Sequence, residues 1–383
     1  MNSLQEQLAQ KKAQGLYRQR RIITGPQQAE IIVDGKKVIN FCSNNYLGLA
    51  NHPEINAAFK KGIDLYGSGS GSAHLINGHS AAHHALEEEL ADFTGYPRCL
   101  LFSTGYMANI GVVQALVSRG DVVLEDRLNH ASLLDAGLLS GARFSRYGHA
   151  DVAAAEKSLI KYNEQKKMLL TDGVFSMDGD IAPIPELAKI CQQQSSWFMV
   201  DDAHGFGVLG ENGRGCIEHF DLRPTDVPVL MGTLGKAFGT SGAFVVGDDD
   251  LIEHLIQSAR SYIYTTATPA ALAEATRASL KLVQTENWRR EKLTEHIAYF
   301  RQSIAELGLE LMDSSTAIQP VVIGDSKKAV NISQQLFERG FHVSAIRPPT
   351  VPEGTARLRI TLTAEHNQDH LTSLINALSE VIS

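Results

Sequence analysis

One lysine in this sequence stands where a lysine is costly. Lys236 lies in Met231-Gly232-Thr233-Leu234-Gly235-Lys236-Ala237-Phe238-Gly239, an apolar, glycine-flanked loop after a run that reads as a buried strand. Lysine is seldom buried without a partner, because its charge is hard to desolvate. A covalent imine to a bound carbonyl compound removes that difficulty. Other polar residues also follow short apolar runs. Ser103-Thr104-Gly105-Tyr106 follows Cys99–Phe102, and Asn129-His130 comes shortly after Val122–Glu125. Asp172 to Ser176 follows Met168–Thr171, and Asp201, Asp202 and His204 close the run from Trp197. In an open α/β sheet such residues gather beyond the carboxyl ends of the strands, where ligands bind.

Each residue also has a plain structural reading. Ser103-Thr104-Gly105 before a helix can be only a cap. His130 can be a satisfied loop histidine, and Asp201 a cap or one half of an ion pair. Asp201, Asp202 and His204 together could suggest a metal, but no further ligands stand at a recognisable spacing, so no metal is expected. The Lys236 loop is not G-x-x-x-x-G-K-[ST], and Gly67-Ser68-Gly69-Ser70-Gly71 lacks the G-x-G-x-x-G spacing of a dinucleotide fold. One cofactor accommodates all the parts. Pyridoxal phosphate (PLP) needs an imine-forming lysine, an acid for its pyridine nitrogen and an anion cradle for its phosphate. Lys236, Asp201 and the helix start after Thr104 supply these three.

The elements that must position these residues are legible in outline. Leu4 to Arg20 reads as a polar helix, and Ile31 to Phe41 as a hairpin about Asp34-Gly35. Strands are expected at Cys99–Phe102, Val122–Glu125, Met168–Thr171, Trp197–Asp201, Val229–Met231 and Ala243–Val246, the last antiparallel. Helices are expected at Tyr106–Val117 and Ala131–Ser140. This alternation argues for an α/β fold, a mostly parallel sheet flanked by helices. After Thr268-Pro269 the pattern changes to helices at Ala270–Val283 and Trp288–Leu307 and strands at Ile318–Ile323 and Leu358–Leu362. The expected organisation is an N-terminal segment 1–44, a large α/β domain 45–270 and a smaller α+β domain 271–383.

Composition narrows the partners. At 383 residues and 43% hydrophobic content the chain exceeds what one core usually organises. A net charge of −8 and no long basic stripe argue against nucleic acid. The N-terminus has no apolar signal core and no later stretch suits a bilayer, so no membrane association is expected. Four scattered cysteines, none in C-x-x-C, suit a reduced, cytoplasmic protein.

Several segments in fixed order resemble the α-oxoamine synthases. They are Phe41 to Leu49 (FCSNNYLGL), Asp126 to Asp135 (DRLNHASLLD), Asp172 to Asp180 (DGVFSMDGD), Val200 to Gly215 (VDDAHGFGVLGENGRG), Gly232 to Gly239 (GTLGKAFG) and Ile346 to Thr363 (IRPPTVPEGTARLRITLT). The resemblance runs from near residue 20 to the C-terminus. It implies the aspartate-aminotransferase type of PLP fold (fold type I) and a homodimer with active sites at the subunit interface.

The same resemblance implies roles. Lys236 carries PLP as a Schiff base and then serves as acid and base at the α-carbon. Asp201 pairs with the pyridine nitrogen, and His130 stacks on the ring and meets substrate. His204 and Ser176 hold the phenolic side, Gly105 and Tyr106 contact the cofactor, and Thr233 lies near its phosphate. Thr265 and Thr266 reach the partner subunit's phosphate. Arg359 with Asn44 clamps the amino-acid carboxylate, and Arg21 and Thr350 contact substrate. The implied substrates are L-alanine and a pimeloyl thioester, on coenzyme A or an acyl carrier protein, with glycine plus acetyl-CoA as the alternative. An aminotransferase would share the lysine and aspartate but keep the α-carboxylate. A non-catalytic PLP-fold protein is disfavoured by the completeness of the constellation.

Overall fold

The computed structural model describes residues 3–13 and 16–382. The chain forms two compact units. One comprises Asn44–Ser176 and Asp180–Glu291; the other comprises Met1–Ser43, Met177–Gly179 and Lys292–Ser383.

The larger unit is built on a seven-stranded sheet. Its strands are β1 (Arg98–Phe102), β2 (Val122–Asp126), β3 (Arg143–Tyr147), β4 (Lys167–Asp172), β5 (Trp197–Asp201), β6 (Val229–Thr233) and β7 (Ala243–Gly247). They lie side by side in the order β1-β7-β6-β5-β4-β2-β3. Only β7 runs antiparallel to its neighbours, as its closeness in sequence to β6 suggested. All of β2 and β4 is buried, which is why they read as unbroken apolar runs rather than alternating ones. Leu100, Val112, Val123, Met168, Leu170, Met199, Val229 and Val245 belong to one buried cluster. Strand β3 was not foreseen. Its sequence Arg-Phe-Ser-Arg-Tyr is that of an exposed edge, and only Tyr147 is fully buried.

Because β1, β2, β4, β5 and β6 are parallel to one another, their carboxyl ends share one edge. Register sharpens this: Asp172 of β4 stands beside Asp201 of β5, and Asp201 beside Met231 of β6. Helices follow two of these ends directly, α1 (Gly105–Leu116) after β1 and α2 (Ala131–Leu139) after β2. The helix Ala270–Thr285, expected in the C-terminal domain, falls in the larger unit. It packs on the helix Pro53–Tyr66, where a Cβ on Gly62 would come 2.8 Å from the Ala271 Cα. That close approach explains the change of allegiance.

The smaller unit begins with the helix Leu4–Ala13, which buries none of its residues. It is shorter than the Leu4–Arg20 helix expected. Residues 14 and 15 lie outside the described residues, and 16–22 are not helical. The hairpin forms as expected, Glu30–Val33 pairing with Lys36–Asn40. Its turn places both Asp34 (φ 51) and Gly35 (φ 80) in the left-handed region, which the Asp-Gly pair accommodates. A three-stranded antiparallel sheet follows, with Ala356–Thr361 between Ile318–Gly324 and Ser344–Ile346. The helix Gln368–Ile382 buries Leu371, Leu374, Ile375 and Leu378, the i, i+3, i+4, i+7 stripe of a helix on a core.

Candidate active site

A cavity of about 200 Å³ opens at the carboxyl edge of the sheet. Lys236, Asp201, His130, His204, Ser176, Thr233, Gly105 and Tyr106 all line it, together with Ser132 and Asp172. Five strand ends thus deliver the residues expected of them.

Lys236 is held by a tight turn between β6 and β7. Leu234, Ala237 and Phe238 are buried around it. The Ser279 hydroxyl donates to the Phe238 carbonyl at 2.6 Å, and Thr240 N–H to the Leu234 carbonyl at 2.9 Å. Gly239 closes the turn at φ 65, and a Cβ there would lie 2.4 Å from the Ala50 nitrogen. Only glycine fits. The Thr233 hydroxyl, at the start of the turn, donates to the Gly242 carbonyl at 3.1 Å.

Asp201 is only 4% exposed. One carboxylate oxygen accepts from Ala203 N–H at 3.0 Å, the other from the Asn109 amide at 2.7 Å. The same Asn109 nitrogen donates to the Ser132 hydroxyl at 2.8 Å. That hydroxyl lies 2.7 Å from His130 Nδ1, which also accepts from Ser132 N–H. His130 therefore caps α2 through Nδ1, leaving the proton of its neutral ring on Nε2. Burial lowers its pKa, opposed by the Asp201 charge. The His130 N–H in turn donates to Asp172 at 3.0 Å. Burial, reinforced by the charge of Asp201, drives the Asp172 carboxyl well above its usual range. Asp172 Oδ1 has no hydrogen-bond partner among the described residues.

His204 is set by Tyr46, whose hydroxyl is 2.5 Å from His204 Nδ1 and 3.3 Å from the Asn44 side-chain oxygen. Asp202, next to Asp201, is fully buried and points away from the cavity lining. It accepts from the backbone N–H of Cys216 at 2.7 Å and from its thiol at 2.9 Å, stitching the glycine-rich stretch 205–215 to β5. Burial pushes its carboxyl up to about 7. Its role is structural, so the paired aspartates divide between chemistry and fold.

The Thr104 hydroxyl caps α1, accepting from Met107 N–H at 3.2 Å. First-turn N–H groups of a helix lack intrahelical partners and attract anions. The start of α1 at Gly105–Tyr106 borders the cavity.

Not every expected residue lines this cavity. Thr265 and Thr266 follow the short helix Arg260–Ile263 outside it. Arg21, Thr350 and Arg359 belong to the smaller unit. There Arg359 is 7% exposed on its strand and donates to the Thr361 hydroxyl at 2.9 Å. Arg21 pairs with Asp34 at 3.4 Å and covers the Phe337 ring, and Thr350 lies exposed in a turn.

Asn109 and Ser132 were missed by sequence reasoning. Asn109 was findable: it is the one strongly polar side chain in the apolar run Met107–Val113 of α1. Ser132 gave no signal beyond its place two residues after His130.

The family model for aminotransferase class I and II matches residues 36–378. The 8-amino-7-oxononanoate synthase of Thioalkalivibrio sulfidiphilus is 60% identical over 99% of this chain and 97% of its own length. The chain belongs to the α-oxoamine synthase family. The relative of the same name from Methylococcus capsulatus is 60% identical over 98% of the chain and 97% of its own. Among solved structures, serine palmitoyltransferase from S. paucimobilis with a bound PLP–myriocin aldimine superimposes with TM-score 0.93 at 29% identity, covering 99% of this chain and 96% of that one. An 8-amino-7-oxononanoate synthase from Francisella tularensis gives 0.79 at 33% identity, over 90% and 97%.

Proposed function

We propose that this protein catalyses the decarboxylative condensation of L-alanine with a pimeloyl thioester to 8-amino-7-oxononanoate, carbon dioxide and free thiol, in biotin biosynthesis. The observation that carries the chemistry is the convergence of Lys236, Asp201 and His130 on one cavity. The product is the one named in the relatives at about 60% identity, and the substrate pair is what the family resemblance implies.

The donor set suits pyridoxal phosphate. A lysine, a buried aspartate held by two hydrogen bonds, a neutral imidazole and a helix N-terminus all border the same space. The unpartnered Asp172 Oδ1 marks that space as one meant for a polar occupant. When bound, the cofactor supplies an electron sink for charge developing at the amino acid's α-carbon.

The chain's own residues do the rest. Lys236 would hold the cofactor, and its Nζ is the group placed to take the α-proton and later return one. Asp201 keeps a proton on the pyridine nitrogen, and Asn109 fixes the carboxylate for that task. His130 offers its ring face, oriented through Ser132. His204, oriented by Tyr46, and Ser176 hold the phenolic oxygen. Gly105, Tyr106 and Thr233 serve the cofactor, its phosphate in particular. Arg359 offers a fork for the amino-acid carboxylate, with Asn44, Arg21 and Thr350 as further substrate contacts. Thr265 and Thr266 complete the partner subunit's phosphate site, so the active form is a homodimer, and we place it in the cytoplasm. The test is a thiol-release assay across amino acid and acyl-thioester pairs. Preference for glycine with acetyl-CoA would reassign the substrates while leaving the residue roles intact.

A further inference from the structure

Away from the cavity, one stretch of the larger unit concentrates imidazoles: His74, His79, His83 and His84, with Glu87 beyond them. His83 is already engaged. It closes a capping box with Ser80, and its Nε2 faces the Thr268 carbonyl at 2.8 Å. His79 is arranged differently. Its Nδ1 lies 3.1 Å from His74 Nδ1, and its Nε2 points toward Glu87 Oε2 at 3.9 Å. The Glu87 side chain is 13% exposed, and its other oxygen accepts from Leu101 N–H at 2.9 Å. His84 precedes Glu87 by three residues on the helix Ala81–Thr94, which puts both on one face. One ligand atom from each of His79, His84 and Glu87 lies within 4.8 Å of the others. These three residues border a separate cavity of about 420 Å³ that shares no residue with the Lys236 cavity.

We propose that His79, His84 and Glu87 bind a divalent transition-metal cation, zinc by ligand chemistry, with water in the remaining position. Two imidazoles and one carboxylate suit zinc, whereas magnesium and calcium prefer all-oxygen sets. Zinc bonds of about 2.0–2.2 Å place tetrahedral ligands roughly 3.3–3.5 Å apart, so atoms now within 4.8 Å of one another need to close by up to about 1.5 Å. The exposed His84, whose pairing with Glu88 at 3.4 Å is a weak surface contact, can make that movement. The surrounding contacts already aim the ligands: His74 fixes the His79 ring through Nδ1, and Leu101 N–H fixes the Glu87 carboxylate. Binding would tie the turn before Ala81–Thr94 to that helix and, through Glu87, to β1.

The experiment uses full-length, untagged, PLP-loaded protein, stripped with a chelator and titrated with zinc in a calorimeter. The expected result is one ion per chain, with affinity at least about tenfold weaker in His84→Gln, the scale of disturbing a metal site. His84 touches nothing in the catalytic cavity, so this variant keeps parental kcat and shows that the fold is intact. Glu87→Gln, whose amide oxygen can still accept from Leu101, should show the same loss. Zinc affinity unchanged in His84→Gln, or no stoichiometric uptake by the parent, overturns the proposal.

Discussion

Replacing Asp201 by asparagine separates charge from shape. The new amide keeps the volume, and its oxygen still accepts from Ala203 N–H. Its nitrogen, however, meets the Asn109 nitrogen that now donates at 2.7 Å. Asn109 can resolve that conflict by turning its amide over, because its own oxygen has no partner among the described residues. The turned amide accepts from the new side chain, while the Ser132 hydroxyl, whose one proton faces His130 Nδ1, loses the bond it accepted from Asn109. Folding stability should therefore drop by about 1 kcal/mol or less, the net value of one rearranged hydrogen bond. Catalysis should suffer far more, since the negative charge that keeps the pyridine nitrogen protonated is gone. Loss of a preorganised electrostatic element costs about 2.7–4 kcal/mol in the transition state, or roughly 10²–10³-fold in kcat. The assay is kcat by thiol release, with melting temperature and cofactor affinity measured on the same preparation. A near-parental kcat in Asp201→Asn would refute the electron-sink role. So would a kcat loss matched by an equal loss of cofactor binding.

Other outcomes follow from the same geometry. Lys236→Ala should abolish the yellow, borohydride-trappable cofactor; mass spectrometry finding the label on another lysine in the parent protein would overturn the assignment. The enzyme should be a dimer whenever active, and light scattering that showed an active monomer would contradict the roles given to Thr265 and Thr266. Glu125, at 0% exposure on β2, lacks a well-formed hydrogen bond among the described residues, and burial raises its carboxyl to about 8. A carboxyl raised on folding contributes stability that is full below its unfolded value of 4.5 and is lost as pH climbs to about 8. Glu125→Gln should thus gain on the parent by up to a few kcal/mol between pH 5 and pH 8, and no further above. Parallel melting curves across that range would show the group is not penalised.

How much of this was legible depends on what enforced each element. Strands β2, β4 and β5 declared themselves because burial on both faces demands unbroken apolar runs. The edge strand β3, with Arg143 and Arg146 both exposed, carries no such demand. The Asp-Gly hairpin was readable because few residue pairs tolerate two consecutive left-handed positions. The helix Ala270–Thr285 was found in the sequence but not its allegiance, since the Gly62–Ala271 approach is a long-range packing fact. In the site, Lys236 and Asp201 stood out because charged groups at the ends of buried strands need a reason. The division between Asp201 and Asp202 did not, because alternation along β5 and the partner at Cys216 decide it. The link Asp201–Asn109–Ser132–His130 joins the end of β5, the middle of α1 and the capped start of α2, and no local pattern encodes it.

The central claim is the reaction itself. Thiol release should be measured in direct competition, L-alanine with pimeloyl-CoA against glycine with acetyl-CoA, with carbon dioxide followed alongside. One methyl group in a pocket discriminates by about 1–3 kcal/mol, so the preference for alanine alone should be roughly 10–200-fold. The account predicts that the alanine and pimeloyl pair wins, with carbon dioxide and thiol released in equal amounts. Thiol release without carbon dioxide, or none from any amino acid and acyl-thioester pair, would contradict it.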